Sequence, residues 1–314
     1  MSESTKGNGF AIQTFGLTRK FGDFMAVNSI DLSIREGELF SLLGPNGAGK
    51  TTTIKMLCCL LRPSGGTATV MGHDIQKDAI AAKQIMDVSP QETAVAEHLN
   101  AWQNLSLMGG IYGLAKEEVR KRSEELLEMI GLTNRAKDRV KKYSGGMKRR
   151  LSIAMALISD PQVLFLDEPT LGLDPQSRRS IWERIAELKG KKTIILTTHY
   201  LEEADALADR VAIIDEGKIA ALGTPSELKD SISDMQVMVV KAKNLTVDII
   251  QDLREKYPEV KEVEDGIEIR AKEFSFDEVV DYLRPKGIVI ESTSKKQITL
   301  DDVFLHLTGK ELRE

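Results

Sequence analysis

The nine residues Gly44-Pro45-Asn46-Gly47-Ala48-Gly49-Lys50-Thr51-Thr52 constrain this chain more than any other stretch. They follow a continuous apolar run, Leu39–Leu43, and open a helix-compatible segment, which is the strand-turn-helix context a phosphate-binding Walker A loop needs. Glycines let backbone N–H groups turn inward around phosphate oxygens without Cβ clashes, and the helix N-terminus adds the positive end of its dipole. The cradle is therefore expected from Gly44, Pro45, Asn46, Gly47, Ala48 and Gly49. Lys50 is expected to bridge the β- and γ-phosphates of a nucleoside triphosphate, Thr51 to place its hydroxyl on Mg2+, and Thr52 to add phosphate contacts.

Such a loop needs a parallel sheet behind it. The runs at 163–166 (VLFL), 193–197 (TIILT) and 211–214 (VAII), with Leu39–Leu43, are too continuously apolar for half-exposed strands and read as buried parallel ones. From 10 to 228 these runs alternate with helix-length amphipathic stretches, so an α/β P-loop domain with a mainly parallel sheet is expected there. Between 93 and 143 the strand signal gives way to charges interleaved with Leu, Val and Met, which predicts a helical insert over about 93–160.

Beyond 228 the style changes. Strands at 235–240, 260–264, 267–271 and 288–291, helices at 246–257 and 275–283, and a tail helix near 301–307 spell β-α-β-β-α-β plus one. Asp265-Gly266 is a two-residue hairpin signal, and Ser275 with Glu278 reads as a capping box. Residues 229–314 are thus expected to form a separate small α+β accessory domain, and residues 1–9 a flexible polar tail.

The run at 163–166 ends in Asp167-Glu168, two carboxylates that would be costly at a buried strand end unless a cation meets them. Asp167 fits the Walker B role of holding Mg2+, and Glu168 suits polarising an attacking water. Ser144-Gly145-Gly146, 23 residues ahead of Asp167, reads as a second capped, anion-binding helix start before a helix at 148–158.

Composition removes several other classes. The longest apolar runs, 56–61 and 153–158, are six residues each, against about 20 for a membrane span. With no signal core at the start, the protein is placed in the cytosol. Adjacent Cys58 and Cys59 offer neither a disulfide framework nor a metal site and read as packing residues. His73, His98 and His306 share no metal-ligand spacing. A net charge of −5 argues against a nucleic-acid binder, although residues 135–150 carry eight Lys or Arg against one acid. With Tyr143 its only aromatic, that segment reads as a solvated helical face, and no nucleic-acid partner is expected.

The order of these motifs resembles the nucleotide-binding subunit of ATP-binding cassette (ABC) transporters over residues 10–228. The resemblance implies further site residues. Gln91 matches the Q-loop glutamine that senses Mg2+ and the γ-phosphate, and Leu173-Asp174-Pro175 matches the D-loop. His199 matches the switch histidine on the γ-phosphate, and Phe21 stands where an aromatic stacks on adenine. It also implies a head-to-tail pair of cassettes, a homodimer or a pair with a second cassette, in which Ser144, Gly145 and Gly146 cap ATP held by the other copy's Lys50. Tyr143 stands where the family usually has Leu, Met147 where it has Gln, and Met155 where Arg is common.

Residues 298–309 resemble the tail of ATPase subunits in drug-resistance-type exporters. The resemblance implies an ATPase peripheral on the cytoplasmic face, powering export through separate membrane-spanning subunits. A soluble cassette ATPase acting on ribosomes or DNA is the rival; a single cassette without a heptad run or Cys cluster speaks against it. An importer cassette is the third reading.

Overall fold

The computed structural model describes residues 9–232, 236–257, 259–263, 265–271, 275–296 and 298–309. Of the tail expected over 1–9, all but Gly9 lies outside the described residues. The chain divides into two compact units, one running to Pro225 and one from Ser226 to Glu311, so the division precedes the expected residue 228.

The first unit is built on a six-stranded sheet in the order Lys218–Gly223, Arg210–Asp215, Leu39–Leu43, Thr193–Thr198, Val163–Asp167 and Met86–Ser89. Every pair is parallel except the first. The three central strands, Leu39–Leu43, Thr193–Thr198 and Val163–Asp167, are buried along their whole length. Phe40, Leu42, Phe165 and Ile195 share a core with Ile54, Met56 and Leu57 of the helix Lys50–Leu57, and the intervening Leu39, Leu43, Leu164 and Ile194 are buried too, so burial of both faces explains the unbroken apolar runs. Cys58 lies in this core and Cys59 packs against it, the role expected of both.

A second sheet was not expected. Strands Phe24–Arg35, Phe10–Phe21, Gly65–Val70 and His73–Asp74 form an antiparallel layer. All four lie within the stretch 10–228 that the alternation of apolar runs and amphipathic stretches assigns to one α/β domain.

The helical insert consists of Ala101–Ile111, Lys116–Met129 and Gly145–Leu157 with two short 3-10 turns. Its core explains the departures in the signature. Tyr143 is buried there with its hydroxyl donating to Arg135 O at 2.7 Å, Met155 is buried beside it, and Met147 packs on its edge.

The second unit has an all-antiparallel sheet in the order Glu259–Val263, Gly266–Ala271, Gln236–Lys243, Val289–Lys296. Helices Val247–Lys256 and Phe276–Leu283 occupy the two crossovers. The expected hairpin is present, since Glu259–Val263 and Gly266–Ala271 pair antiparallel, but Val263 pairs with Gly266, so the turn falls one residue earlier than Asp265-Gly266. A Cβ on Gly266 would lie 2.0 Å from Val240 O, so close strand approach requires glycine there. One expectation needs correction. Ser275 makes no side-chain cap bond; the capping box belongs instead to Thr299 and Asp302, opening the helix Leu300–Thr308.

Candidate nucleotide-binding site

Parallel register brings the chemistry together. Leu43 pairs with Thr198 and Asp167 with Thr197, so the phosphate loop, the carboxylates and His199 all leave the sheet at one edge, where α/β sheets place ligands. Gly44 N donates to Thr198 O at 3.3 Å, anchoring the start of the loop. Gly49 has φ 106°, and a Cβ there would meet Ala26 O at 2.4 Å, so the loop closes only with glycine. No side chain caps the helix that Gly49 opens, leaving its first N–H groups directed at the loop for an anion.

Lys50 and Glu168 are each 5% exposed and form an ion pair at 3.0 Å. Lys50 Nζ also donates to Gly44 O at 2.7 Å and Pro45 O at 3.2 Å. Thr51 and Thr197 hydroxyls donate to Asp167 Oδ1 at 3.0 and 2.6 Å. His199 Nδ1 lies 2.8 Å from Glu168 Oε2. The structure thus joins five expected residues, Lys50, Thr51, Asp167, Glu168 and His199, and adds Thr197, which sequence reading missed because it passed for one more strand residue.

Glu168 itself has φ 48°, a conformation unfavourable for a non-glycine residue. Two bonds from its N–H hold it there, to Thr197 O at 3.1 Å and Thr197 Oγ1 at 3.0 Å. A hydroxyl beside one carboxylate suits Mg2+, which takes few protein ligands when phosphates supply the others. A second carboxylate next to it, bonded to an imidazole, suits a base for water.

The remaining expected residues stand apart. Phe21 ends the strand Phe10–Phe21 half exposed, with the Arg19 guanidinium 4.5 Å over its ring. It pairs with Phe24, two residues before the Ala26 that touches the loop. Gln91 is exposed just beyond the edge strand Met86–Ser89. Thr52 lies half buried in the helix's first turn.

Ser144 caps a helix that begins at Gly145 rather than 148, so the glycines form its first turn. Ser144 and Gly145 are exposed, and a Cβ on Gly146 would meet Ser177 Oγ at 2.8 Å. The neighbours of the signature are thus the chain's own Leu173 and Ser177 rather than its phosphate loop. Asp174 caps the helix Pro175–Ala186 by accepting from Ser177 N at 3.0 Å.

Much of the basic segment is engaged internally. Arg135 pairs with Asp138, Lys148 with Glu97, Arg150 donates to Ile130 O, and Arg149 is buried. Arg149 was missed in the sequence because its four acceptors are backbone carbonyls 18–59 residues away.

Glu203 was missed too. Fully buried behind the site, its Oε1 accepts from Thr170 Oγ1 and Trp182 Nε1, both at 2.9 Å, and burial pushes its carboxyl up to about 7. The raised value means the fold favours the neutral acid. That stability is full below the unfolded carboxyl's range and is lost as pH rises through about 7. Wild type should therefore lose on the order of 2 kcal/mol more than Glu203→Gln between about pH 5 and about pH 8, read from urea melts. Parallel pH profiles for the two proteins would refute the assignment.

On the same unit, a groove of about 270 Å3 is lined by Cys58, Leu60, Lys83, Met86, Asp87 and Tyr112, among others. Asp87 accepts from Tyr112 OH at 2.6 Å, and burial raises its carboxyl. Leu60 is exposed at the groove's rim, and Leu107 and Ile111, one turn apart, are exposed on the helix that Tyr112 caps. Among the described residues no helix is long and apolar enough to cross a membrane.

The family model described as "ABC transporter" matches residues 27–171. Daunorubicin resistance ATP-binding protein DrrA3 of Streptomyces coeruleorubidus is 39% identical, covering 96% of this chain and 97% of that protein. Linearmycin resistance ATP-binding protein LnrL of Bacillus subtilis (strain 168) is 38% identical, over 96% and 100%. Nod factor export ATP-binding protein I of Cupriavidus metallidurans is 38% identical, over 96% and 99%. Among solved structures, an ATP binding subunit of an ABC transporter matches with TM-score 0.63 at 29% identity, covering 70% of this chain and 92% of that one. A dimeric ATP-binding cassette in a post-hydrolysis state, bound to ADP and Pi, matches with TM-score 0.61 at 27% identity, covering 68% and 98%.

Proposed function

The chain belongs to the ABC transporter family, and on that premise we propose that it is the ATP-hydrolysing subunit of an exporter, working through separate membrane-spanning subunits from the cytoplasmic face. The observation that carries this reading is the cluster of buried Lys50, Asp167, Glu168 and His199 with half-buried Thr51 at one edge of the parallel sheet. Export is supported by the names of the relatives, two of them resistance proteins and one an export protein.

In this reading Lys50 and the loop N–H groups hold the β- and γ-phosphates. Thr51 and Asp167, joined by Gln91, would hold Mg2+, which would supply charge neutralisation on the phosphoryl oxygens. Glu168 accepts a proton from the attacking water, and His199 orients Glu168 and the γ-phosphate. Phe21 stacks on adenine. Ser144, Gly145 and Gly146, with Asp174 beside them, meet ATP held by a second cassette. Residues 226–311 serve as an accessory domain.

The groove at Leu60, Asp87 and Tyr112 is the proposed seat of a cytoplasmic segment of the membrane subunit, since an apolar rim over a carboxylate suits an amphipathic segment. Wild type should co-purify with a membrane protein from detergent-solubilised membranes, and Leu60→Glu, on the groove's exposed rim, should lose that partner while still binding ATP. Sedimentation with ribosomes instead would overturn the exporter reading.

A paired site makes a separate prediction. ATP shared between two cassettes favours the dimer by mass action, so Glu168→Gln with ATP and Mg2+ should run as a dimer in sizing with light scattering. Adding Ser144→Arg should return it to monomer with ATP still bound. A Glu168→Gln protein that stays monomeric at saturating ATP would exclude pairing by the isolated subunit.

A further inference from the structure

We propose that Arg149 is a positioning residue that couples the helix start at Ser144 to the hydrolytic end of its own chain's nucleotide site. The inference rests on the paired reading above and adds to it a route between the two sites. Arg149 stands five residues after Ser144 on the helix Gly145–Leu157 and is 4% exposed. Its guanidinium donates to four backbone carbonyls. Nη2 reaches Asp167 O at 2.7 Å and Nε reaches Pro169 O at 2.9 Å, so two bonds bracket Glu168. Nη1 reaches Pro90 O and, at 3.3 Å, Gln91 O.

Three features make this more than a buried structural arginine. The acceptors belong to the two segments that carry Gln91 and Glu168, and Glu168 is the residue held at positive φ. None of the four is a carboxylate. Asp167, Glu203 and Glu168 act on the charge only through space. Burying a cation without a bonded counter-ion is costly, and an apolar side chain would fill the same space more cheaply. The planar fork, moreover, cannot shift without breaking bonds in both segments at once. A displacement of the helix, such as Ser144 meeting a phosphate would cause, is therefore delivered to Gln91 and to both sides of Glu168. ATP bound at one site thereby sets the catalytic geometry of the other.

The test uses the full chain with Arg149→Met, which removes the charge, and Arg149→Lys, which keeps it without the fork. ATP affinity should stay within about threefold of wild type, since no contact of Arg149 touches the phosphate loop. Turnover should fall at least about tenfold in both variants, and the Hill coefficient for ATP should drop from above 1 toward 1. Dimer formation in the Glu168→Gln background should persist. If Arg149→Met does not fold, Arg149→Lys reads the same quantities. An Arg149→Lys protein with wild-type turnover and Hill coefficient would overturn the proposal, as would loss of affinity in step with turnover. If wild type neither dimerises nor shows cooperativity, the paired reading fails by itself, while a turnover loss at constant affinity would still place Arg149 over Glu168.

Discussion

Glutamine in place of Glu168 should leave ATP bound at close to wild-type affinity and cut turnover at least about a hundredfold. The expectation follows from what the carboxylate touches. Oε1 lies 3.0 Å from Lys50 Nζ and Oε2 lies 2.8 Å from His199 Nδ1, so an isosteric amide keeps an oxygen on Lys50 and the shape of the site. What it loses is the capacity to take a proton. A general base is worth about 10²–10⁴ in rate, which sets the expected range. A different role would give a different result. If Glu168 served only to neutralise Lys50, the amide would free the lysine, tighten ATP binding and spare turnover. Single-turnover hydrolysis beside equilibrium binding separates the two, and turnover within about threefold of wild type would remove the base assignment.

The phosphate loop and the Asp167-Glu168 pair are legible in the sequence because their chemistry is contiguous. Each places glycine, cation, hydroxyl or carboxylate within a few residues of one buried strand, and local spacing alone restricts what they can do. Arg149, Thr197 and Glu203 are not legible for the opposite reason. Their partners are carbonyls and hydroxyls on other strands and helices, and such acceptors leave no mark on composition or periodicity. Gly266 shows the same limit at the level of fold. Asp265-Gly266 signals a hairpin that the structure contains, yet the glycine itself sits in the ladder and answers to the approach of Val240 on a strand more than twenty residues earlier. Asp174 and Gly146 carry an ambiguity that geometry exposes. Helix capping and contact with Ser177 already account for both residues within one chain, so a role across a pair has to be tested rather than read from the motif.

Lys50→Ala should weaken ATP binding at least about a hundredfold, and adding Glu168→Gln should recover part of the loss. The lysine makes the only ion pair recorded for Glu168 with a permanently charged side chain among the described residues. A charge-assisted bond to phosphate contributes about 1.5–3 kcal/mol, or roughly 10- to 150-fold in affinity. Removing Lys50 also leaves the Glu168 carboxylate buried without its cation, beside the position the γ-phosphate would take. Breaking a buried pair from one side typically costs about 3–5 kcal/mol, and the remaining negative charge opposes an anionic ligand. Two separable effects follow. The Lys50→Ala protein should melt lower than wild type without ATP, and Lys50→Ala with Glu168→Gln should melt closer to wild type because no charge is stranded. In binding, the double variant should regain the share of affinity that Glu168 repelled, but not the share that Lys50 supplied. A double-mutant cycle over affinity and melting temperature measures both couplings. Strictly additive losses would mean that Lys50 and Glu168 act independently, and the 3.0 Å pair would then carry no weight in how the site meets phosphate.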